Sequence, residues 1–115
     1  MATKAFDDGL AEVLEDLFMV LHERKRNMQD DSYVSLLYKK GDDSILKKIG
    51  EEAAEVIIAS KGEDKEKIIY EITDLWFHCM ILMANKEITL EEIAEEFKRR
   101  MGVSGLAEKA SRQDH

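Results

Sequence analysis

The sequence of 115 residues, 44% hydrophobic and 37% charged, has the length of one domain with a buried core and is too short for two. Its formal charge of -8 argues against general nucleic-acid binding, where a basic footprint is expected. No run of about 18 apolar residues is present to span a membrane.

The absence of proline and the scarcity of glycine favour an all-α protein, and hydrophobic periodicity divides it into about five helices with short joints. The first is expected over residues 6–26, where Phe6, Leu10, Leu14, Leu17, Phe18 and Leu21 recur at steps of three and four. It ends in the basic "ERKRN", which suits the negative end of a helix dipole. Asp31 or Ser32 of "DDSY" then offers an N-cap for a short helix through "VSLLYKK". Gly41 closes that helix, and "DDS" is expected to cap a third over 44–60, stopped by Gly62. Residues 63–86, "EDKEKIIYEITDLWFHCMILMANK", read as a long fourth helix. The fifth, 89–101, opens on Thr89 followed three residues later by Glu92, the pattern of a capping box. Beyond Gly102, "VSGLAEKASRQDH" is polar and is expected to be the tail of a single domain, 1–115. The opening "MATKAFDDGLAEVLEDLF" lacks the basic flank and continuous apolar stretch of a signal peptide. Cys79, the one cysteine, cannot close an internal disulfide, so a cytoplasmic protein is expected.

Over residues 75–83 the fourth helix is apolar at nearly every position, which suits the core or a subunit interface. Some of Trp76, Phe77, Met80 and Ile81 are therefore expected to face a second subunit. Yet Glu71, Asp74 and His78 form one stripe at i, i+3 and i+7. On the third helix Glu52 and Glu55 are three apart, and Glu52 borders the apolar stripe of Ile45, Ile49, Ala53 and Val56. Antiparallel packing of the two helices would let Glu52, Glu55, Glu71 and Asp74 converge. Buried carboxylates without partners are costly, so convergence calls for protonation, basic partners or a metal ion. An oxygen-only set points to a hard cation, Mg2+ first and Mn2+ second. The plainer reading is a solvated face on which Glu51, Glu52 and Glu55 pair with Lys47, Lys48 and Lys61. His78 alone is more often a satisfied core histidine than a ligand. Cys79, Met80 and Met83 read as packing residues.

Taken together the motifs are more specific. "EEAAE" at 51–55 and "EITD" at 71–74 resemble the EExxE…ExxD signature of the all-α nucleoside-triphosphate pyrophosphatase superfamily, the MazG-like fold. Within it, "SYVSLLYKKGDDSILKKIGEEAAEVIIASK", "YEITDLWFH" and "SGLAEKASR" are similar to the phosphoribosyl-ATP pyrophosphatase family, over about residues 10–112. Two positions depart from the family pattern. Val34 stands where Thr is common, and Trp76-Phe77-His78 where Leu-Tyr-His is usual. The resemblance implies a MazG-like helical bundle and a homodimer whose two chains together complete each cleft. It implies hydrolysis of 1-(5-phosphoribosyl)-ATP to 1-(5-phosphoribosyl)-AMP and pyrophosphate, the second step of histidine biosynthesis. Mg2+, with Mn2+ as substitute, is then held by Glu52, Glu55, Glu71 and Asp74. Glu51 or Glu52 holds or deprotonates the attacking water, Lys48 meets phosphate charge, and His78 supports a carboxylate. Arg24 and Arg26, or Arg99 and Arg100 with Lys109 and Arg112, are the clusters open to the phosphoribosyl phosphate.

Two other readings stand beside this one. A MazG-like pyrophosphatase that clears noncanonical or excess nucleotides would share the metal site and differ in its base pocket. A helical interaction module would carry the same acids as structural groups, and metal titration separates it from either enzyme. A di-iron carboxylate bundle is disfavoured, because it wants Glu-x-x-His pairs and the chain contains none.

Overall fold

The computed structural model describes residues 9–102, and among them five helices follow one another without a strand. They are α1 (Leu10–Arg26), α2 (Tyr33–Lys40), α3 (Asp42–Lys61), α4 (Lys65–Asn85) and α5 (Leu90–Met101). The expected all-α class holds. Phe6 and the polar tail at 103–115 lie outside the described residues. No helix among the described residues is long and apolar enough to cross a membrane.

Local signals account for most helix ends. The Ser32 hydroxyl accepts the Ser35 backbone N–H at 3.2 Å and starts α2. Asp64 accepts the N–H groups of Glu66 and Lys67 and starts α4. Thr89 and Glu92 form the reciprocal capping box that starts α5. One expectation fails. α3 begins at Asp42 rather than at 44, and no side chain caps it; Gly41, at φ 95°, ends α2 and begins α3 at once. That backbone region strongly favours glycine, so Asp42 and Asp43 enter the first turn, where carboxylates favour the helix dipole. At the joint after α3 the left-handed residue is Glu63, at φ 62°, and not Gly62.

α3 and α4 form an antiparallel hairpin. Its open end is tied where Asn85 donates to Asp42 at 2.7 Å and the Lys86 ammonium pairs with the same carboxylate. The Lys25 ammonium of α1 donates to the last carbonyls of α4, Ala84 at 3.4 Å and Asn85 at 3.2 Å, groups a helix end leaves without partners. α2 is fastened to the end of α1 by side-chain donors. Ser35 Oγ donates to the Arg24 carbonyl at 3.0 Å, and the Tyr38 hydroxyl to the Leu21 carbonyl at 3.1 Å.

The core gathers at this end. Phe18 and Leu21 of α1, Val34, Leu37 and Tyr38 of α2, Ile45 of α3, and Met80, Ile81 and Ala84 of α4 are its buried members. Leu21, Ile45 and Ile81 have almost no exposure, and each contributes about 1.5–3 kcal/mol by leaving water. Met80 and Ile81 therefore face inward within the chain, which leaves Trp76 and Phe77 as the members of that run available to a second subunit. Trp76 remains about half exposed. The closed end of the hairpin is different: Ile57, Ile58, Ile69 and Tyr70 are all exposed. α5 buries no residue at all.

Candidate metal and catalytic site

The acidic residues lie midway along the hairpin, between its packed end and its exposed apolar end. Glu52 from α3 and Glu71 and Asp74 from α4 each offer a carboxylate oxygen, and these oxygens lie within 4.8 Å of one another. Glu71 and Asp74 share a face because they are three apart on a helix. The antiparallel hairpin then carries Glu52 to the same level.

Glu52 is buried. A hydrogen bond shared with the Asp74 carboxyl pushes its carboxyl above the ordinary carboxylate range, with burial and the Asp74 charge acting the same way against the pull of Lys48 and His78. The Lys48 ammonium lies 3.6 Å from Glu52 and 3.7 Å from Glu51, one turn away on the same helix. Burial pulls that ammonium down, but the charges of Tyr33, Glu52 and Glu51 outweigh it and hold Lys48 above its usual value. Glu51 itself is half exposed and stands outside the group of three. Glu55 is exposed and also outside it, one turn along α3 from Glu52.

His78 is buried, with both ring nitrogens engaged. Nδ1 lies 2.8 Å from the Asp74 carbonyl and 3.4 Å from its carboxylate, and Nε2 lies 2.7 Å from the Tyr33 hydroxyl. The imidazole also meets the rings of Tyr33 and Phe77 edge-on, at centroid distances of 5.7 and 5.4 Å. Partial burial pushes the Tyr33 phenol up; Lys48 opposes this, and Asp74, Glu52 and Glu51 add to it. Tyr33 thus belongs to the electrostatic surroundings of the acids, a placement no periodicity argument reaches, since it arrives from α2. Its only signal in the sequence is its position directly after the Ser32 cap. Val34, its neighbour, is a core residue and brings no hydroxyl to the site.

The raised Glu52 carboxyl has a consequence for metal-free protein. Below the ordinary value of 4.5 both folded and unfolded chains hold the proton, and the stability it contributes is fully present. As pH climbs through the raised folded value, the unfolded chain has already released its proton, and that stability is lost. Thermal unfolding in EDTA should therefore show a midpoint that falls as pH rises just above the ordinary carboxylate range. Glu52→Gln should flatten that fall and raise metal-free stability by roughly 1 kcal/mol, the scale of an imperfectly satisfied buried polar group. An unchanged slope in the variant would assign the pH dependence elsewhere.

Fold and site define a class: an all-α protein whose central hairpin gathers carboxylates able to hold a metal ion. Residues 14–101 match the family described as phosphoribosyl-ATP pyrophosphohydrolase. The chain is 54% identical over 103 residues to the phosphoribosyl-ATP pyrophosphatase of Vesicomyosocius okutanii, covering 90% of this chain and 98% of that one. It is 52% identical to the protein of the same name from Ruthia magnifica, with the same coverage. Identity is 50% to that of Azoarcus sp. strain BH72, covering 90% of this chain and 96% of the relative. The chain belongs to the phosphoribosyl-ATP pyrophosphohydrolase family and is a hydrolase.

Proposed function

We propose that this protein hydrolyses 1-(5-phosphoribosyl)-ATP to 1-(5-phosphoribosyl)-AMP and pyrophosphate, the second step of histidine biosynthesis, with Mg2+ as its cofactor. The observation that carries the chemistry is the convergence of Glu52, Glu71 and Asp74. Their donor set is all oxygen, and Glu52 is pushed toward keeping a proton, as a carboxylate short of positive charge does. Both features fit a hard divalent cation. Glu52, Glu71 and Asp74 would hold it, and Glu55, with an exposed side chain one turn away, would turn in to join them. When bound, the ion supplies positive charge against the triphosphate and makes the attacking water more acidic.

The chain's own groups do the rest. Lys48, already drawn toward two glutamates, offers its ammonium to the phosphates as they displace it from those carboxylates. Glu51 lies outside the acidic group, so its carboxylate is open to take the proton of the attacking water. The water oxygen bonds to phosphorus, the anhydride between the α- and β-phosphates breaks, and pyrophosphate leaves. No serine or cysteine nucleophile is required. The test is hydrolysis of phosphoribosyl-ATP by purified protein with Mg2+ and with excess EDTA; turnover that survives EDTA with trace metal excluded would overturn the cation reading.

We also propose that the protein acts as a homodimer in the cytoplasm. A groove of about 700 Å³ between α1 and α4 is lined by Leu10, Val13, Leu17, Ile69, Tyr70 and Trp76, and reaches Asp74. So large an open apolar surface favours a partner of the same kind. Val13→Asp, at a half-exposed position outside the buried core, should turn a dimer into a folded monomer by sedimentation velocity. A monodisperse, fully active wild-type monomer at assay concentrations would contradict the dimer. Ile81→Asp would not serve, since Ile81 is fully buried within one chain and a charge there would unfold it.

A further inference from the structure

Beside the three carboxylates lies a buried imidazole whose hydrogen-bonding roles can be assigned. The Asp74 carbonyl can only accept, so His78 Nδ1 carries a proton, and in the neutral ring Nε2 is left as an acceptor. The Tyr33 hydroxyl, 2.7 Å away, is then the donor to it. That phenol is kept protonated by partial burial and by the acids it faces, so it has a proton to give. It also rests on a firm mount, because Ser35 and Tyr38 of the same helix are bonded to the carbonyls that end α1. We propose that Tyr33 is a positioning residue for the cation site, its hydroxyl locking His78 in the orientation that holds Asp74 toward Glu52 and Glu71. The proposal rests on the reading of those carboxylates as a cation site.

The chain of contacts runs from α2 through the imidazole into α4. Nδ1–H reaches both the carbonyl and, at 3.4 Å, the carboxylate of Asp74, which adds a second restraint to a side chain already bonded to Glu52. With Nε2 occupied, the imidazole offers no lone pair to an incoming ion, and the donor set stays all oxygen. Without the Tyr33 hydroxyl, that nitrogen is a buried acceptor with no partner. Such a group costs free energy until the ring turns or a water reaches it. Either change loosens Asp74.

Tyr33→Phe keeps the ring and removes only the hydroxyl. In metal-free, 15N-labelled protein, two-bond proton–nitrogen correlation should show His78 with a protonated Nδ1 and an acceptor Nε2, assigned with His78→Asn. In Tyr33→Phe the Nε2 resonance should move. Mg2+ affinity by calorimetry should fall about 10–100-fold, and kcat by a similar factor, the range for groups that orient metal ligands. KM should stay within about twofold, since no substrate contact is lost. His78→Asn should cost about the same 10–100-fold without changing metal preference, and the double variant should be no worse than His78→Asn alone. Unchanged His78 resonances would overturn the proposal. So would a raised KM with kcat intact, which makes Tyr33 a substrate contact, or additive losses in the double variant. Failure of the cation reading itself shows separately, as wild-type protein that takes up no Mg2+ in the calorimeter while the His78 resonances still report the Tyr33 bond.

Discussion

Glu52→Gln, Glu71→Gln and Asp74→Asn are each expected to lower kcat at least about 10³-fold, some 4 kcal/mol of barrier, because each removes an anionic oxygen from the proposed cation site, where an ion would stabilise transition-state charge by several kcal/mol. The amide is nearly isosteric with the carboxylate, so the helical fold should persist. Circular dichroism and thermal unfolding check that point. In Glu52→Gln the metal-free protein should even gain stability, since the shared hydrogen bond with Asp74 no longer sets two ionisable groups against each other. Loss of turnover with retained or improved metal-free stability is the signature of a functional site rather than a structural one. Glu55→Gln belongs in the same series. Glu55 stands outside the group of three, so a comparable loss would report that its exposed side chain turns inward when the ion binds. Variants that lose turnover only in proportion to lost fold would return these acids to a structural role.

Phosphoribosyl-ATP should be preferred over ATP by at least about 100-fold in kcat/KM, some 2.7 kcal/mol. On the proposed reading both substrates would present a triphosphate to the same carboxylates, so discrimination must come from groups that meet the additional phosphoribosyl phosphate. Basic side chains are the economical recognisers of such a group. A site built to pair with a phosphate leaves charge without a partner when the substrate lacks it, and rejection is then steep. The fold narrows the choice. Arg99 and Arg100 are both drawn to Glu96, whose carboxyl their hydrogen bonds hold down at about 2. Arg26 pairs with Glu23 at 3.5 Å. Lys109 and Arg112 lie outside the described residues. The end of α1 that carries Arg24 is bonded to α2 through Ser35, two residues from the Tyr33 that touches His78. Arg24→Gln should therefore lower the preference for phosphoribosyl-ATP more than it lowers ATP hydrolysis. Comparable wild-type efficiency on ATP, dCTP or dUTP would instead make the protein a nucleotide-clearing enzyme.

Much of this was legible in the sequence because it is local. Helix periodicity placed Glu71 and Asp74 on one stripe, and capping chemistry placed the start of α5 at Thr89 and narrowed that of α2 to Asp31 or Ser32, of which Ser32 is the cap; both depend on residues three or four apart. The short joint at Gly62 likewise implied the antiparallel hairpin on which Glu52 meets the fourth helix. The sequence could not say how far each helix rotates about its own axis, because distant core residues such as Leu21, Ile45 and Ile81 set that rotation. A small rotation decides that Glu52 joins Glu71 and Asp74 while Glu55, one turn on, stays in solvent. The same packing turns Met80 and Ile81 inward and leaves Trp76 half exposed, although all three belong to one unbroken apolar run. Tyr33 was beyond sequence reasoning for the same cause. Its hydroxyl reaches His78 across 45 residues of chain, and only the docking of α2 against α1 and α3 determines which side chain it finds.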